Sequence, residues 1–226
     1  MKNRLTILPF IFMTLGLSFI FSQPIYSEPS NLSLIRKEVI KYHDSGLYQK
    51  ELTNKIKQAH DYIIQQVLIN QKQQNPQKLA LVLDIDETSL SNYDKMVKHN
   101  FTATHKQIHK EILAADSSVI KPTLALYKTA IKHGVKVFFV TGRIESERDA
   151  TQKNLIKAGY TDWSGLYFRP AQYNHPSIIP FKSQARTTIS KQGYTIIASI
   201  GDQYSDIRGG YTQKGFKLPN PFYYLP

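Results

Sequence analysis

The sequence predicts an α/β fold, in which a Rossmann-like parallel sheet is covered by helices on both of its faces. The first observation is a repeated layout of helix, glycine and apolar strand, found in LYKTAIKHGVKVFFVTG, KNLIKAGYTDWSGLYF and TTISKQGYTIIASIGD. The second is that the strand segments are continuous apolar runs, which is typical of strands buried on both faces. Helices that alternate with such strands favour a parallel sheet between two helical layers.

Charge and backbone geometry predict where the helices of this repeated layout end. In each copy a lysine stands two places before the glycine, and the pairs are Lys132 and Gly134, Lys157 and Gly159, and Lys191 and Gly193. The lysine faces the negative end of the helix dipole, and the glycine takes the left-handed conformation of a helix cap. Pro122 suits the first turn of the first of these helices.

Two helices are predicted upstream of the sheet, within residues 28–75. Apolar residues at spacings of three and four predict a long amphipathic helix over residues 47–72, with Leu52, Ile56, Ala59, Ile63 and Val67 on its buried face. A shorter helix is expected over residues 31–44. A proline at position 76 then marks the break before the apolar strand that starts at Leu79.

Residues 1–27 have the order of a secretory signal peptide. Two basic residues precede an apolar run over residues 5–21, and a short polar stretch follows. Cleavage is expected after Ser22 or Ser27. The alternative is an uncleaved membrane anchor, but the run lies at the bottom of the spanning range and contains a proline and a glycine. We expect a secreted or periplasmic protein without stable membrane insertion after cleavage.

Composition limits the remaining classes of protein. Residues 28–226 suit one domain with a full core. The chain has no cysteine, which excludes disulfides, thiolate metal sites and lipid-modified cysteine. The net charge of +12 raises nucleic-acid binding as one interpretation. The basic residues are scattered, however, and this favours a solvated surface that attracts small anionic substrates over a nucleic-acid polymer.

Polar residues follow three of the predicted strands directly. The first strand ends in residues 84–87, Asp-Ile-Asp-Glu; the second ends in residues 141–143, Thr-Gly-Arg; the last ends in Gly201 and Asp202, with Asp206 four places on. Ligands of open parallel sheets bind at the carboxyl ends of the strands. Carboxylates buried this close together cost several kcal/mol unless a charge compensates them. The sequence therefore predicts either a bound cation or a solvated strand end.

These three polar segments, together with the lysine segment PFKSQAR between the last two predicted strands, resemble in order the four motifs of the haloacid-dehalogenase (HAD) superfamily of phosphatases. DIDETSLSNY, FFVTGR, PFKSQAR and GDQYSD are similar specifically to subfamily IIIB acid phosphatases, which include bacterial class C enzymes and plant vegetative storage proteins. The likeness extends to YHDSGLYQKEL and LPNPFYYLP, and so covers nearly all of the mature chain. Several bacterial relatives are lipoproteins, and this chain has no cysteine to lipidate.

The resemblance implies hydrolysis of small-molecule phosphate monoesters in two steps. Asp84 would attack phosphorus and form an aspartyl-phosphate, a suitable role because a carboxylate needs no base to activate it. Asp86 would protonate the departing alcohol and then take a proton from the attacking water. We therefore expect Asp86 to hold a proton that Asp84 lacks.

The resemblance also implies a Mg²⁺ site and a phosphate site. Asp84, the backbone carbonyl of Asp86 and Asp202 would bind the metal, with Asp206 as a ligand or as support. Oxygen donors without thiolates suit such a hard cation. Phosphate-binding residues would be Thr141, Gly142 and the adjacent backbone N–H groups, with Lys182 opposing the negative charge. Glu87 is expected to be structural or to support the metal and phosphate residues, without a catalytic step.

Substrate choice is expected to come from residues 89–121, which would form a small helical cap inserted between the first two motifs. Asn92 and Tyr93 are the candidate substrate-binding residues, since an aromatic ring could stack on the base of a 5′-nucleotide. The alternative is that Tyr93 and Phe101 belong to the core of the cap. Two alternatives also stay open for Arg143, which could cap the following helix or approach the phosphate.

Other functions remain to be weighed against a phosphatase. One is a catalytically weak storage or phosphate-binding protein of the same fold, although an intact Asp84 argues against it. Another is a basic nucleic-acid-binding protein, whose affinity would depend steeply on salt and not on EDTA. The sequence leaves the oligomeric state open, including a homo-oligomer.

Overall fold

The computed structural model describes residues 28–226, so the predicted signal peptide lies outside the described residues and stays a prediction. Leu32–Pro226 form one compact unit, and the described residues before it belong to a separate N-terminal unit. Between residues 28 and 226, no helix combines the length and the apolarity that crossing a bilayer requires.

Helices and strands alternate along most of this unit. In chain order they are α1 (Leu32–Asp44), α2 (Leu47–Gln71), β1 (Lys78–Leu83), β2 (Leu90–Ser91), α3 (Tyr93–Lys98), α4 (His105–Leu113), β3 (Ser118–Val119), α5 (Lys121–Lys132), β4 (Lys136–Ile144), α6 (Arg148–Ala158), β5 (Gly165–Arg169), α7 (Ile179–Lys191), β6 (Tyr194–Gly201) and β7 (Lys214–Lys217). Short 3₁₀ turns follow β4 and β6.

The central sheet has five parallel strands in the order β5-β4-β1-β6-β7. Alternate side chains of β1 point into two different cores, because successive side chains of a strand face opposite sides. Leu81 packs in a cluster with residues of α2, α5 and α6, whereas Val82 packs in a second cluster with Ala185 and Ile189 of α7. The predicted α/β fold with helices on both faces is confirmed.

The predicted helix signals are found where the sequence places them. The three glycines that follow α5, α6 and α7 have positive φ angles of 76°, 99° and 87°. The proline predicted in a first turn is within the first two residues of α5. All five apolar residues assigned to the inner face of α2 are buried.

The insertion between β1 and α5 contains α3 and α4 and is closed by the antiparallel pair of β2 and β3. A capping box at Thr104 starts α4, since the Thr104 and Gln107 side chains each accept a backbone N–H of the other residue. One contact between the insertion and the remainder of the fold is made by His109 of α4, whose Nδ1 is 2.7 Å from the buried carboxylate of Glu147. The helices predicted for this segment are thus present.

Candidate active site

Three carboxylates meet at the carboxyl edge of the sheet. Asp84 follows β1, and Asp202 follows the neighbouring strand β6, from which the Ile200 carbonyl accepts the Asp84 N–H at 3.0 Å. One oxygen from each of Asp84, Asp202 and Asp206 lies within 4.8 Å of the other two. All three residues are buried, which excludes the solvated strand end that the sequence had left open.

Helix α7 lies on the face of the sheet opposite to α2 and α5, and it supplies the cation that compensates these carboxylates. Lys182 lies in its first turn, with Nζ 2.8 Å from Asp84 Oδ1 and also in contact with Asp206 Oδ1. Burial lowers the pKa of Lys182, but the charges of Asp206 and Asp84 outweigh it and hold the pKa above its ordinary value. One turn later, Arg186 donates to the Asp206 carbonyl at 2.8 Å, so α7 fixes both the side chain and the backbone of Asp206.

Asp202 is held by three donors from different segments. Thr88 Oγ1 donates to Oδ1 at 3.2 Å, while Gln203 Nε2 and Asn220 Nδ2 donate to Oδ2 at 2.8 and 2.5 Å. Asn220 was not among the predicted site residues. The signal that could have found it is a polar residue shortly after β7, because that strand ends at the same edge of the sheet as β6.

The cluster carries more negative charge than its direct contacts neutralise. Three carboxylates face the single ammonium of Lys182. Burial raises the pKa of both Asp84 and Asp202 above its ordinary value, and the negative charge of Asp206 is the second largest cause. A divalent cation would balance the two remaining charges, and carboxylate oxygens are the ligands that Mg²⁺ prefers. The residues present therefore fit the implied metal.

Asp86 has its own partners. Arg143 donates to it from Nη2 at 2.7 Å and from Nε at 3.0 Å, and Asn92 Nδ2 donates at 2.8 Å. Burial raises the pKa of Asp86, but the charge and hydrogen bonds of Arg143 outweigh it and hold the pKa below its ordinary value. These bonds hold the Asp86 side chain against Arg143, and the metal contact predicted for this residue is that of its backbone carbonyl.

The order of proton affinities differs from the sequence-based expectation. Asp86 was expected to hold a proton that Asp84 lacks, whereas the described residues raise the pKa of Asp84 by burial and leave Asp86 ionised beside Arg143. The physical reason is the distribution of cations: Asp86 has a guanidinium to itself, and Asp84 shares one ammonium with Asp206. A cation bound among the three clustered carboxylates would lower the pKa of Asp84.

The last residues of β4 carry the predicted phosphate-binding residues, where the pairing with β5 shifts register between Thr141 and Ile144. Thr141 is fully buried, and its Oγ1 accepts the backbone N–H of Arg143 at 3.1 Å. The Gly142 carbonyl accepts from Arg169 Nε at 3.0 Å, which orients the peptide group between Gly142 and Arg143. Arg169 was not predicted, although a basic residue at the end of strand β5 is a signal of the same kind as the others.

Arg143 and Glu87 have structural partners. Beyond its contact with Asp86, Arg143 donates from Nη1 to Thr151 Oγ1 on α6 at 3.0 Å. This double contact is not a helix cap, and the approach of Arg143 to the phosphate stays a prediction. Glu87 is fully buried and accepts the Asn92 N–H at 2.5 Å and the Ser91 hydroxyl at 3.2 Å. These bonds match the structural role expected for Glu87, and burial raises its pKa to about 8.

Tyr93 packs in an aromatic cluster and is only 6% exposed. Its ring stacks on His43 with a centroid distance of 3.3 Å and lies 5.3 Å from Phe222, and its hydroxyl donates to Asp44 at 3.0 Å. Phe101 belongs to the same cluster. This arrangement favours the alternative that these rings are core, and it removes the reason for assigning Tyr93 to a nucleobase.

Comparison with known proteins identifies the family. The family model of the HAD superfamily, subfamily IIIB (acid phosphatase), matches residues 19–226, and the chain belongs to that family. "Acid phosphatase 1" of Solanum lycopersicum is 34% identical over 64% of this chain and 58% of its own length. "Vegetative storage protein 1" of Arabidopsis thaliana is 30% identical over 64% of this chain and 55% of its own.

A solved structure has the same fold. The class C acid phosphatase from Bacillus anthracis superposes with a TM-score of 0.66 at 19% identity, covering 85% of this chain and 86% of that one. At this identity the likeness concerns the fold. The matched segment spans under two thirds of the length of these plant relatives.

Proposed function

We propose that this protein is an acid phosphatase that hydrolyses small-molecule phosphate monoesters through an aspartyl-phosphate on Asp84, with Mg²⁺ as its cofactor. The observation that carries the proposal is the buried cluster of Asp84, Asp202 and Asp206 beside Lys182, at the carboxyl edge of a parallel sheet. Membership of subfamily IIIB supports the same activity. Secretion to the periplasm or beyond follows from the predicted signal peptide and is part of the proposal.

The first step transfers the phosphoryl group to the protein. An oxygen of Asp84 forms a bond to phosphorus, the bond from phosphorus to the ester oxygen breaks, and the alcohol leaves with a proton from Asp86. Thr141 and the adjacent N–H groups near the end of β4 bind the phosphoryl oxygens. Lys182 opposes the charge on Asp84 and on the group being transferred.

The second step returns Asp84 to its carboxylate. Water attacks phosphorus, Asp86 accepts a proton from that water, and phosphate departs. This second step needs an ionised Asp86, because a carboxylate can accept the proton directly. The first step needs a protonated Asp86, and the protonated fraction grows as the pH falls, although Arg143 holds the pKa of Asp86 below its ordinary value.

Asp84 and Asp202 would hold the cation, with the backbone carbonyl of Asp86, and Asp206 would support them through its contact with Lys182. When bound, the metal neutralises charge on the reacting phosphate. Thr88, Gln203 and Asn220 keep Asp202 in place.

EDTA is expected to abolish hydrolysis of p-nitrophenyl phosphate, and added Mg²⁺ is expected to restore it. Asp202→Asn should raise the Mg²⁺ concentration for half-maximal activity at least about tenfold, because a ligand loses its charge. The exposed Asp94 makes a matched control, since Asp94→Asn removes the same charge outside the cluster. Full activity in protein treated with EDTA would contradict the metal site.

Gly201→Ala is expected to weaken Mg²⁺ activation through steric displacement of Asp206. A Cβ atom at Gly201 would overlap the Asp206 carboxyl group. The control is Gly165→Ala on β5, where a Cβ atom would come 2.8 Å from the Phe138 ring. Both variants should lower the melting temperature, and only Gly201→Ala should raise the Mg²⁺ requirement. An equal Mg²⁺ requirement in the two variants would show that Gly201 does not act through Asp206.

A storage role is the second candidate, favoured by the relatives named vegetative storage proteins. A storage protein has no need of turnover, and an intact Asp84 beside Lys182 is the feature that argues against it. The same assay separates the two, because a storage protein would release no p-nitrophenol above the level of the Asp84→Asn variant.

A further inference from the structure

A chain of three hydrogen bonds runs from the insertion to Asp86. Lys95 Nζ donates to Ser117 Oγ at 3.1 Å, Ser117 Oγ donates to Asn92 Oδ1 at 2.7 Å, and Asn92 Nδ2 donates to Asp86 Oδ1 at 2.8 Å. Lys95 is on α3, and Ser117 lies just before β3. The chain therefore starts at an ammonium in the insertion and ends at the proposed acid and base.

The direction of this chain is fixed by its first member. An ammonium has donors and no acceptor, so the Ser117 hydroxyl accepts from Lys95 and its own proton points to Asn92. A hydroxyl that donates to Asn92 Oδ1 holds the amide with its NH₂ group toward Asp86. The reversed amide would place its oxygen against the Asp86 carboxylate, and the two acceptors would repel each other.

Helix α6 holds both groups that contact the Asp86 carboxylate, Arg143 directly and Asn92 through Ser117. Asn154 forms two hydrogen bonds with the backbone of Ser117, each 2.9 Å long. One turn earlier on α6, Thr151 accepts from Arg143, the other partner of Asp86. Thr151 and Asn154 are buried, so the contacts of Arg143 and of Asn92 with Asp86 both depend on one inner face of α6.

We propose that Ser117 and Lys95 are positioning residues for Asp86: they fix the Asn92 amide so that it presents a donor to the Asp86 carboxylate. The insertion would then set the orientation of the proton-transferring group. This inference rests on the proposed phosphatase function. It predicts a defect in proton transfer to the leaving alcohol and no comparable defect in nucleophilic attack.

The test compares two substrates that need the general acid to different extents. p-Nitrophenol has a pKa of about 7 and can leave unaided, whereas the alcohol of glycerol 2-phosphate has a pKa of about 14 and needs a proton. The quantity to measure is kcat/KM, which covers the steps up to release of the alcohol and omits the later hydrolysis of the aspartyl-phosphate.

Ser117→Ala is expected to lower kcat/KM for glycerol 2-phosphate at least about tenfold more than for p-nitrophenyl phosphate. Ser117→Thr keeps the hydroxyl and should restore most of the difference. Lys95→Met should also lower kcat/KM more for glycerol 2-phosphate than for p-nitrophenyl phosphate. This variant takes the place of Ser117→Ala in the test if Ser117→Ala does not fold. The control is His109→Ala, which breaks the contact between α4 and Glu147 and should change both substrates by one factor.

Equal losses on both substrates in Ser117→Ala, or in Lys95→Met if Ser117→Ala does not fold, would overturn the positioning role and leave a structural one. A wild-type protein that hydrolyses neither substrate with Mg²⁺ present would instead contradict the proposed function itself. The wild-type measurement therefore separates the two failures.

Discussion

Asp84→Asn is expected to lose at least about a thousandfold in turnover, because an amide cannot form the aspartyl-phosphate. The substitution is nearly isosteric, so the fold should be retained. It also removes the charge of one of three clustered carboxylates. Because burial beside Asp206 raises the pKa of Asp84, its ionised form is disfavoured in the fold, and the neutral amide should keep or raise the melting temperature in EDTA.

The measurement for this variant combines phosphate release with thermal unfolding. Asp94→Asn is again the control, with turnover expected near that of the wild type. More than about 1% residual turnover in Asp84→Asn would argue against a covalent intermediate on Asp84. A large drop in the melting temperature of Asp84→Asn would show that the Asp84 carboxylate stabilises the fold, contrary to this expectation.

Asp86→Asn has the second large expected effect, and its kinetics report the role of Asp86. With p-nitrophenyl phosphate, Asp84 should still be phosphorylated, because nitrophenolate leaves unaided. The second step should slow by about 10²–10⁴, because the amide that replaces the carboxylate cannot accept a proton from water. We expect a burst of about one nitrophenol per active site, then slow turnover, and no burst of alcohol from glycerol 2-phosphate.

Stopped-flow absorbance and rapid quench measure these two phases. The folded state needs a parallel check, because the Asp86→Asn substitution leaves the buried Arg143 without its carboxylate partner, which costs stability. If both substrates slow by one factor and neither shows a burst, Asp86 acts through structure or metal binding and the assignment is wrong.

The sequence was sufficient for the fold and for the position of the clustered carboxylates. The repeated layout of helix, glycine and strand implies parallel strands, and parallel strands bring their carboxyl ends to one edge. Asp84 and Asp202 could therefore be placed together although they are far apart in the chain. Lys182 was recognisable only from its place in an ordered set of motifs, since a lone lysine is usually a surface residue.

The partners of these residues could not be predicted from the sequence. Arg143 reaches Asp86 and not a helix end, because it lies near the end of β4, next to the strand β1 that Asp86 follows. Which carboxylate carries a proton depends on how two cations are shared among four acids, and that is a property of the packed site. Tyr93 looked available for substrate only because the aromatic partners His43 and Phe222 are distant in sequence.

Detection of the phosphorylated protein tests the central claim most directly. Asp86→Asn protein is mixed with p-nitrophenyl phosphate and Mg²⁺, quenched in acid during the burst and digested for mass spectrometry. The account predicts one phosphoryl group per chain on the peptide that contains Asp84, labile to hydroxylamine as an acyl phosphate is. Nitrophenol release without a phosphorylated Asp84 peptide, or with the label on another residue, would contradict it.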